Sequence, residues 1–375
     1  MPNTIPSTSA LSATSPLNQF VFRQLNNWLD QPLNLIAAPA DLNWQELAIT
    51  FANAKQPLQV WTNDWRSFNA AQTAGISSFF TAGQAPTNLA GRSLMFWPKA
   101  KEEGYWWLQQ LATLPHQDVL LAGESNGGIN ALAKQLKNTG VAVGKLDTAR
   151  RCALYALDSL APASQLITDN APQQTQVPQQ TQTGQGVQTQ WSGPEDLTLI
   201  SQPGVFSHGR VDEGSAFFIK TLTQQPHIKT GQLLDIGCGC GLLGAWLIKK
   251  YPSLQLTAAD VSGFALNATR ATLGINQLNG KAVAADIFTG LAEHAPAQGF
   301  DLIISNPPFH TGKATDYELA SRLISQAPQF LRKGGEIWIV ANRFLPYADF
   351  LQQAFHNVTL VAETGKFRVY KAIRG

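Results

Sequence analysis

Charge is what this chain has least of. Asp, Glu, Lys and Arg make up only 14% of its 375 residues, 27 basic against 25 acidic; soluble domains usually carry about 25%. A net charge of +2 argues neither for nor against a nucleic-acid partner. Cysteine is also scarce. Cys152, Cys238 and Cys240 are too few and too odd in number for a disulfide framework, which fits a reducing cytoplasm. Cys238-x-Cys240 lacks metal-site spacing and has no second pair, so no zinc or other metal is expected. The first ten residues, MPNTIPSTSA, hold no Lys, no Arg and no apolar stretch, so a secretory signal is not expected. No apolar run approaches the ~18 residues that a membrane helix needs. What remains is 44% hydrophobic, enough for a packed core and too much for simple disorder. The length suits two domains.

The clearest punctuation lies between Asp158 and Trp191. Residues 171–190 hold nine glutamines and no charge, with neither a helical nor a strand period. So little apolar surface cannot offset the cost of ordering, and a flexible linker is expected over 159–195. Domains are then expected over 1–158 and 196–375. Charge divides evenly between 1–190, with 11 basic and 11 acidic residues, and 191–375, with 16 and 14. Neither half is a basic module, so any RNA contact must come from local patches.

The C-terminal half alternates short apolar strands (Gln232–Ile236, Leu254–Ala259, Lys281–Ala284, Phe300–Ile304, Glu336–Val340) with helical stretches near Leu242–Lys250, Gly263–Leu273, Tyr317–Phe330 and Tyr347–Ala354. That predicts an α/β fold with a mostly parallel sheet covered on both faces. The tail, Val358–Val361 and Phe367–Ala372, reads as an edge hairpin. The N-terminal half resembles a worn copy. Leu58-Gln59-Val60 runs to Asp64 as Leu254-Gln255-Leu256 runs to Asp260. Asp118–Ala122 precedes a turn and a helix as Glu336–Val340 does, and Lys145–Leu157 resembles the tail. The matches keep their order, which points to a duplication.

Leu234-Asp235-Ile236-Gly237-Cys238-Gly239-Cys240-Gly241 runs a buried strand into three alternate glycines, then a helix. Such a loop turns tightly and lets a ligand approach the backbone, with the free N–H groups of the helix beside it. A dinucleotide fold would place its third glycine later. Asp235, on the strand before the loop, disfavours a diphosphate there and suits an amine-bearing ligand. Asp260 ends the second strand 19 residues after Gly241, where a carboxylate can accept hydrogen bonds from ribose hydroxyls. Asp286 ends the third, placed for the exocyclic amine of an adenine. The set resembles the class I methyltransferases that use S-adenosylmethionine (SAM). The resemblance implies Asp235 near the methionine amino group, Asp260 on the ribose, and Asp286 with Ile287 at the adenine. Gly214, Ser215 and Asn306 join the glycines Gly237, Gly239 and Gly241 in the expected cofactor set.

Asp301-Leu302-Ile303-Ile304-Ser305-Asn306-Pro307-Pro308-Phe309-His310 ends an apolar strand in a proline-frozen turn. The Asn306 side-chain oxygen and the Pro307 carbonyl can form an acceptor pair for an exocyclic amine, and Phe309 can stack on its ring. Two acceptors draw such a nitrogen toward tetrahedral geometry, so positioning and electrostatics suffice without a strong base. Asn306, Pro307 and Phe309 are therefore the expected catalytic residues. Asn-Pro-Pro-aromatic marks amino-group methyltransferases that act on adenine N6, guanine N2 or a protein glutamine amide. A non-catalytic assembly factor using the folds as RNA platforms is a further alternative, though it would have no need of Asp235, Asp260 and Asn306.

Gln202–Ser207, Asp212, Gly214-Ser215, Ser305–His310 with Gly312, Val340–Asn342 with Phe344–Tyr347, and Gly365–Phe367 with Tyr370–Ile373 together resemble the bacterial rRNA guanine-N2 methyltransferases of the small-subunit methyltransferase C type. The likeness reappears at Phe96–Lys99 and Lys145–Tyr155. It implies two tandem Rossmann-like class I methyltransferase domains. The first would be inactive, assisting folding or RNA binding. The second would use SAM to make N2-methylguanosine in 16S rRNA on the assembled small subunit. A monomer without membrane or metal is expected. Phe206, Phe309, His310, Lys313, Arg343 and Lys366 are the expected substrate contacts. Arg210 and Arg368, and Lys99, Arg150 and Arg151 in the first half, are further cations that could meet phosphate. The first half has Leu35-Ile36-Ala37-Ala38-Pro39-Ala40 where the second has Asp235 and its glycines, and Phe96-Trp97-Pro98-Lys99 where the second has Asn306–Phe309. It is expected to bind no SAM, with Asp64 alone left at the ribose-like position.

Overall fold

The computed structural model describes residues 15–84, 86, 89–114, 118–163, 166, 182–183, 186–207, 209–224, 229–307 and 314–375. The chain divides into two compact units, one of residues 1–80 and 85–172, the other of 173–375 together with 81–84.

In the first unit the strands are β1 (Leu33–Ile36), β2 (Leu58–Thr62), β3 (Ser77–Phe80), β4 (Arg92–Phe96), β5 (Asp118–Glu124), β6 (Val143–Ala149) and β7 (Cys152–Leu157). They form one sheet in the order β3-β2-β1-β4-β5-β7-β6. Helices α1 (Pro16–Gln24), α2 (Trp44–Asn53), α3 (Trp65–Thr73), α4 (Lys101–Ala112) and α5 (Ile129–Asn138) accompany it. Only the β5–β7 and β6–β7 pairs are antiparallel. Leu33–Ile36 is buried at every residue, as expected of a parallel strand covered on both faces.

A short hairpin of β8 (Gln182–Thr183) and β9 (Gly186–Val187) precedes an antiparallel pair, β10 (Thr189–Ser192) and β11 (Thr198–Ser201). The second unit then repeats the first. Its strands are β12 (Thr230–Ile236), β13 (Ser253–Asp260), β14 (Gly280–Ala284), β15 (Phe300–Ser305), β16 (Leu331–Asn342), β17 (Thr359–Glu363) and β18 (Phe367–Ile373). Their order, β14-β13-β12-β15-β16-β18-β17, is that of the first sheet strand for strand. Its helices are α6 (Glu213–Thr223), α7 (Leu242–Lys250), α8 (Gly263–Ile275), α9 (Ala314–Phe330) and α10 (Tyr347–Phe355). Trp246, Trp338, Tyr347, Phe218 and Phe300 are fully buried in this unit.

The expected linker over 159–195 is interrupted near its end. Thr189–Ser192 pairs with β11, and β11 docks on α8, where Asn276 Oδ1 accepts from Thr198 N and Thr272 Oγ1 from Ile200 N, each at 2.9 Å. In both sheets the first strand is central: β12 pairs with β13 on one side and β15 on the other. The chain reverses its winding there, which opens a crevice at the C-terminal ends of β12 and β15, where open α/β sheets bind ligands.

Candidate active site

The glycine loop leaves β12 at that crevice. Gly237, Gly239 and Gly241 hold φ of +71°, +55° and +80°, a region that costs an L-residue about 1–2 kcal/mol. A Cβ on Gly237 or Gly239 would meet nothing within 4 Å, so both bare backbones face open space. Asp260 braces the loop: Oδ2 accepts from Gly239 N at 3.0 Å and Oδ1 from Ser262 N at 2.9 Å. Its carboxylate thus sits at the loop, where it can also accept from a ligand hydroxyl.

Asp235 is 1% exposed and accepts from Gly244 N in α7 at 2.9 Å. Burial raises its carboxyl to about 7, Gly244 opposes the shift, and the charge on Asp260 adds to it. The cysteines between the glycines are inert: burial pushes the Cys240 thiol up to about 12 and Cys238 upward too. Asp286 is held by Arg322 of α9, with Nη2 donating to Oδ2 at 2.8 Å. Its backbone exchanges two hydrogen bonds with Thr289. That tight turn puts Ile287 at φ +58°, a strained place for a β-branched residue.

Asn306 stands one residue past β15, and the buried Pro307 follows it. Its Nδ2 donates to Ser215 Oγ at 2.9 Å and makes longer contacts of 3.4 and 3.5 Å to the Asp212 carboxylate. Asp212 can only accept, so the amide nitrogen must face it. The amide oxygen is thereby turned away; Asn306 Oδ1 is buried and has no hydrogen-bond partner among the described residues. Asp212 is also the N-cap of α6, accepting from Ser215 N at 3.0 Å. One carboxylate thus starts the helix and orients the carboxamide. A Cβ on Gly214 would lie 3.0 Å from Asp212 Oδ1, 3.3 Å from the Phe367 ring and 3.6 Å from Asn306 Oδ1, so a side chain at 214 would crowd the site.

The structure therefore brings together Gly214, Ser215, Asp235, Gly237, Gly239, Gly241, Asp260 and Asn306. Asp286 and Ile287 follow β14, two strands over. Lys366 pairs with Glu213 at 2.7 Å, with both side chains exposed, and Arg343 N donates to Lys366 O at 2.9 Å. Arg368 pairs with Glu363 at 3.2 Å. Phe206 is 47% exposed. Pro308, Phe309, His310 and Lys313, with His208, lie outside the described residues. Sequence reasoning gave no role to Asp212, Arg322 or Phe367. An aspartate ahead of a helical run is a capping signal that could have given Asp212 a role; Phe367 is named only within the Gly365–Phe367 motif, and nothing local points to Arg322.

One sequence correspondence is corrected. Ile36 pairs with Trp61 as Ile236 pairs with Ala259, so Thr62 takes the place of Asp260 and Asp64 that of Ser262. The hydrogen bonds agree: Thr62 Oγ1 accepts from Asp64 N at 3.0 Å, as Asp260 does from Ser262 N. Asp64 caps α3 and pairs with Arg66 at 2.6 Å, so it does not survive at the ribose-like position. Ala37 keeps the left-handed turn of Gly237, at φ +53°, without the glycine.

A seven-stranded sheet with an antiparallel hairpin at one edge, a glycine loop after its central strand and Asn-Pro after the next strand over define a class I, SAM-dependent methyltransferase. The Methyltransferase small domain family matches residues 196–371, and Methyltransferase small domain N-terminal matches 18–171. Ribosomal RNA small subunit methyltransferase C of Proteus mirabilis is 34% identical over 97% of this chain and 100% of its own length. The protein of the same name from Pseudomonas entomophila is 40% identical over 76% and 79%. The chain belongs to the ribosomal RNA small subunit methyltransferase C family. In the fold it matches the T. thermophilus 16S rRNA N2 methyltransferase in complex with AdoMet and guanosine, with a TM-score of 0.73, 20% identity, and coverage of 92% of this chain and 88% of that one. Among the described residues no helix is long and apolar enough to cross a membrane.

Proposed function

We propose that this chain transfers a methyl group from SAM to the exocyclic N2 amine of a guanine in 16S rRNA, on the small ribosomal subunit. The observation that carries the reading is the Asn306 carboxamide, its nitrogen locked by Ser215 and Asp212 and its oxygen without a partner among the described residues. An acceptor held in that way fits an amine on a planar ring. The crevice fits SAM in its donor set: bare backbone at Gly237 and Gly239, the Asp260 carboxylate bracing the loop, and the Asp235 carboxyl close by. When bound, SAM supplies an electrophilic methyl group.

The chain's own residues position the amine. Asn306 Oδ1 and the Pro307 carbonyl accept its two N–H groups, so the nitrogen lone pair turns out of the ring plane toward the methyl. The bound cofactor would supply the methyl with its sulfonium as the leaving group, and the amine proton would leave to water. No side chain has to act as a strong base. Phe206, Phe309 and His310 are the proposed contacts to the base, and Lys313, Arg343 and Lys366 the proposed contacts to phosphate. Exposed ion pairs such as Lys366–Glu213 contribute little, so Lys366 can exchange its partner for a phosphate at small cost.

The N-terminal domain, 1–158, is a degenerate copy that binds no SAM, and catalysis belongs to 196–375. Thr62 and Ala37 stand where Asp260 and Gly237 stand. Glu103 adds a carboxyl beside Asn63 and Asp64, pushed up to about 7 by burial and by the Asp64 charge. The protein acts as a monomer in the cytoplasm. To test the reaction, incubate it with labelled SAM and small subunits from a strain lacking the enzyme. N2-methylguanosine is the expected product; N6-methyladenosine or labelled protein would redirect the assignment.

A further inference from the structure

Beyond Asn342, the end of β16, the chain makes a pinned loop. Asn342 Oδ1 accepts from Phe344 N at 3.3 Å, and Asn342 O accepts from Leu345 N at 3.1 Å. Arg343 N is tied to the hairpin turn at Lys366 O. Leu345 packs on the core, and Tyr347 is 1% exposed. Between these anchors Phe344 is 83% exposed, the most of any large hydrophobic side chain among the described residues. A lone exposed apolar group is ordinary on a protein surface. A phenyl ring held out by backbone bonds on both sides, at the rim of a site, is less so.

Its place at the rim follows from the register. Asn342 pairs with Phe367 across β16 and β18. The Phe367 ring lies 3.3 Å from the point that a Cβ on Gly214 would occupy, and that point is 3.6 Å from Asn306 Oδ1. Phe344 is two residues beyond Asn342. Arg343 is exposed beside it, and its guanidinium has no ion-pair partner among the described residues.

We propose that Phe344 is a stacking platform for an unpaired nucleobase next to the target, with Arg343 on the adjoining phosphate. The subsite rests on the reading of this chain as an RNA methyltransferase. Chemistry on a base requires that base to leave its stack. Its departure bares the face of a neighbouring base, and an exposed aromatic ring covers such a face without reading its identity.

The test is steady-state methyl transfer to small subunits lacking the modification. Phe344→Ala should raise KM for the subunit roughly tenfold, with SAM affinity and Tm unchanged and kcat moving far less than KM. Phe344→Trp should restore KM, because it returns a π-face. Phe344→Leu, equally apolar but without a ring, should stay impaired. A KM for Phe344→Ala within twofold of wild type, or a Leu variant as good as wild type, overturns the subsite while leaving the functional reading standing. If wild type itself transfers no methyl to the RNA, that reading falls and the subsite falls with it.

Discussion

Asn306 and Asp235 are both polar residues at the ends of apolar strands, and they are held for opposite purposes. Asn306 has its donor end satisfied and its acceptor end without a partner among the described residues. Asn306→Ala should lower kcat by about 100-fold or more, the scale of losing a preorganised polar contact to the reacting group, while SAM affinity stays within a few fold by calorimetry. A large loss of SAM binding would mean that the residue serves the cofactor instead. Asp235 is kept out of water, and its pKa rises from 3.8 to about 7. Between those values the folded chain holds a proton that the unfolded chain has released, so this group's contribution to stability falls as pH rises through that window. Asp235→Asn can still accept from Gly244 N. It should raise Tm at pH 7.5 by about 2 °C or more and flatten the pH dependence of Tm between pH 4 and 7, yet weaken SAM binding about tenfold by removing the charge proposed to meet its amine. A variant that is no more stable at pH 7.5 would show that burial does not strain the carboxylate.

The glycine loop and the strands show what each element owes to local sequence. Three alternate glycines after Asp235 were legible because φ of +55° to +80° demands them within five residues. Asn306-Pro307 was legible for the same reason: prolines end a strand wherever they fall. Asp64 was misplaced because counting from Leu58 and Leu254 assumes strands of equal length. β2 and β13 differ, and only pairing to β1 and β12 sets which residue faces the cofactor loop. Arg322 on Asp286 was invisible, since 36 residues separate the partners. The loop itself can be tested as a unit. A Cβ on Gly239 meets no atom within 4 Å, so Gly239→Ala should cost only about 1–2 kcal/mol of backbone strain. It should weaken SAM binding by more than tenfold, because the added methyl enters the space left for the ligand. Denaturant titration beside calorimetry separates the two, and unchanged SAM affinity would contradict the cradle.

At the scale of the whole molecule, two sheets of identical strand order carry different residues at matching places. One SAM per chain is the expected stoichiometry by calorimetry, since Thr62, Ala37 and Phe96 replace Asp260, Gly237 and Asn306; two sites would restore the first unit as an enzyme. The scarcity of charge has a consequence for RNA binding. With 27 basic residues nearly balanced by 25 acidic ones, the chain has little general attraction for phosphate. Few counterions are released on binding, so affinity for the small subunit should fall gently with salt, with a log–log slope of about −2 to −3 from a few placed cations. A slope steeper than about −6 would point to a broad basic surface. The central claim is tested most directly by nucleoside mass spectrometry of 16S rRNA, after small subunits lacking the modification are treated with SAM and either wild type or Asn306→Ala. N2-methylguanosine appearing with wild type and not with the variant is the predicted result; equal methylation by both, or another methylated base, would contradict it.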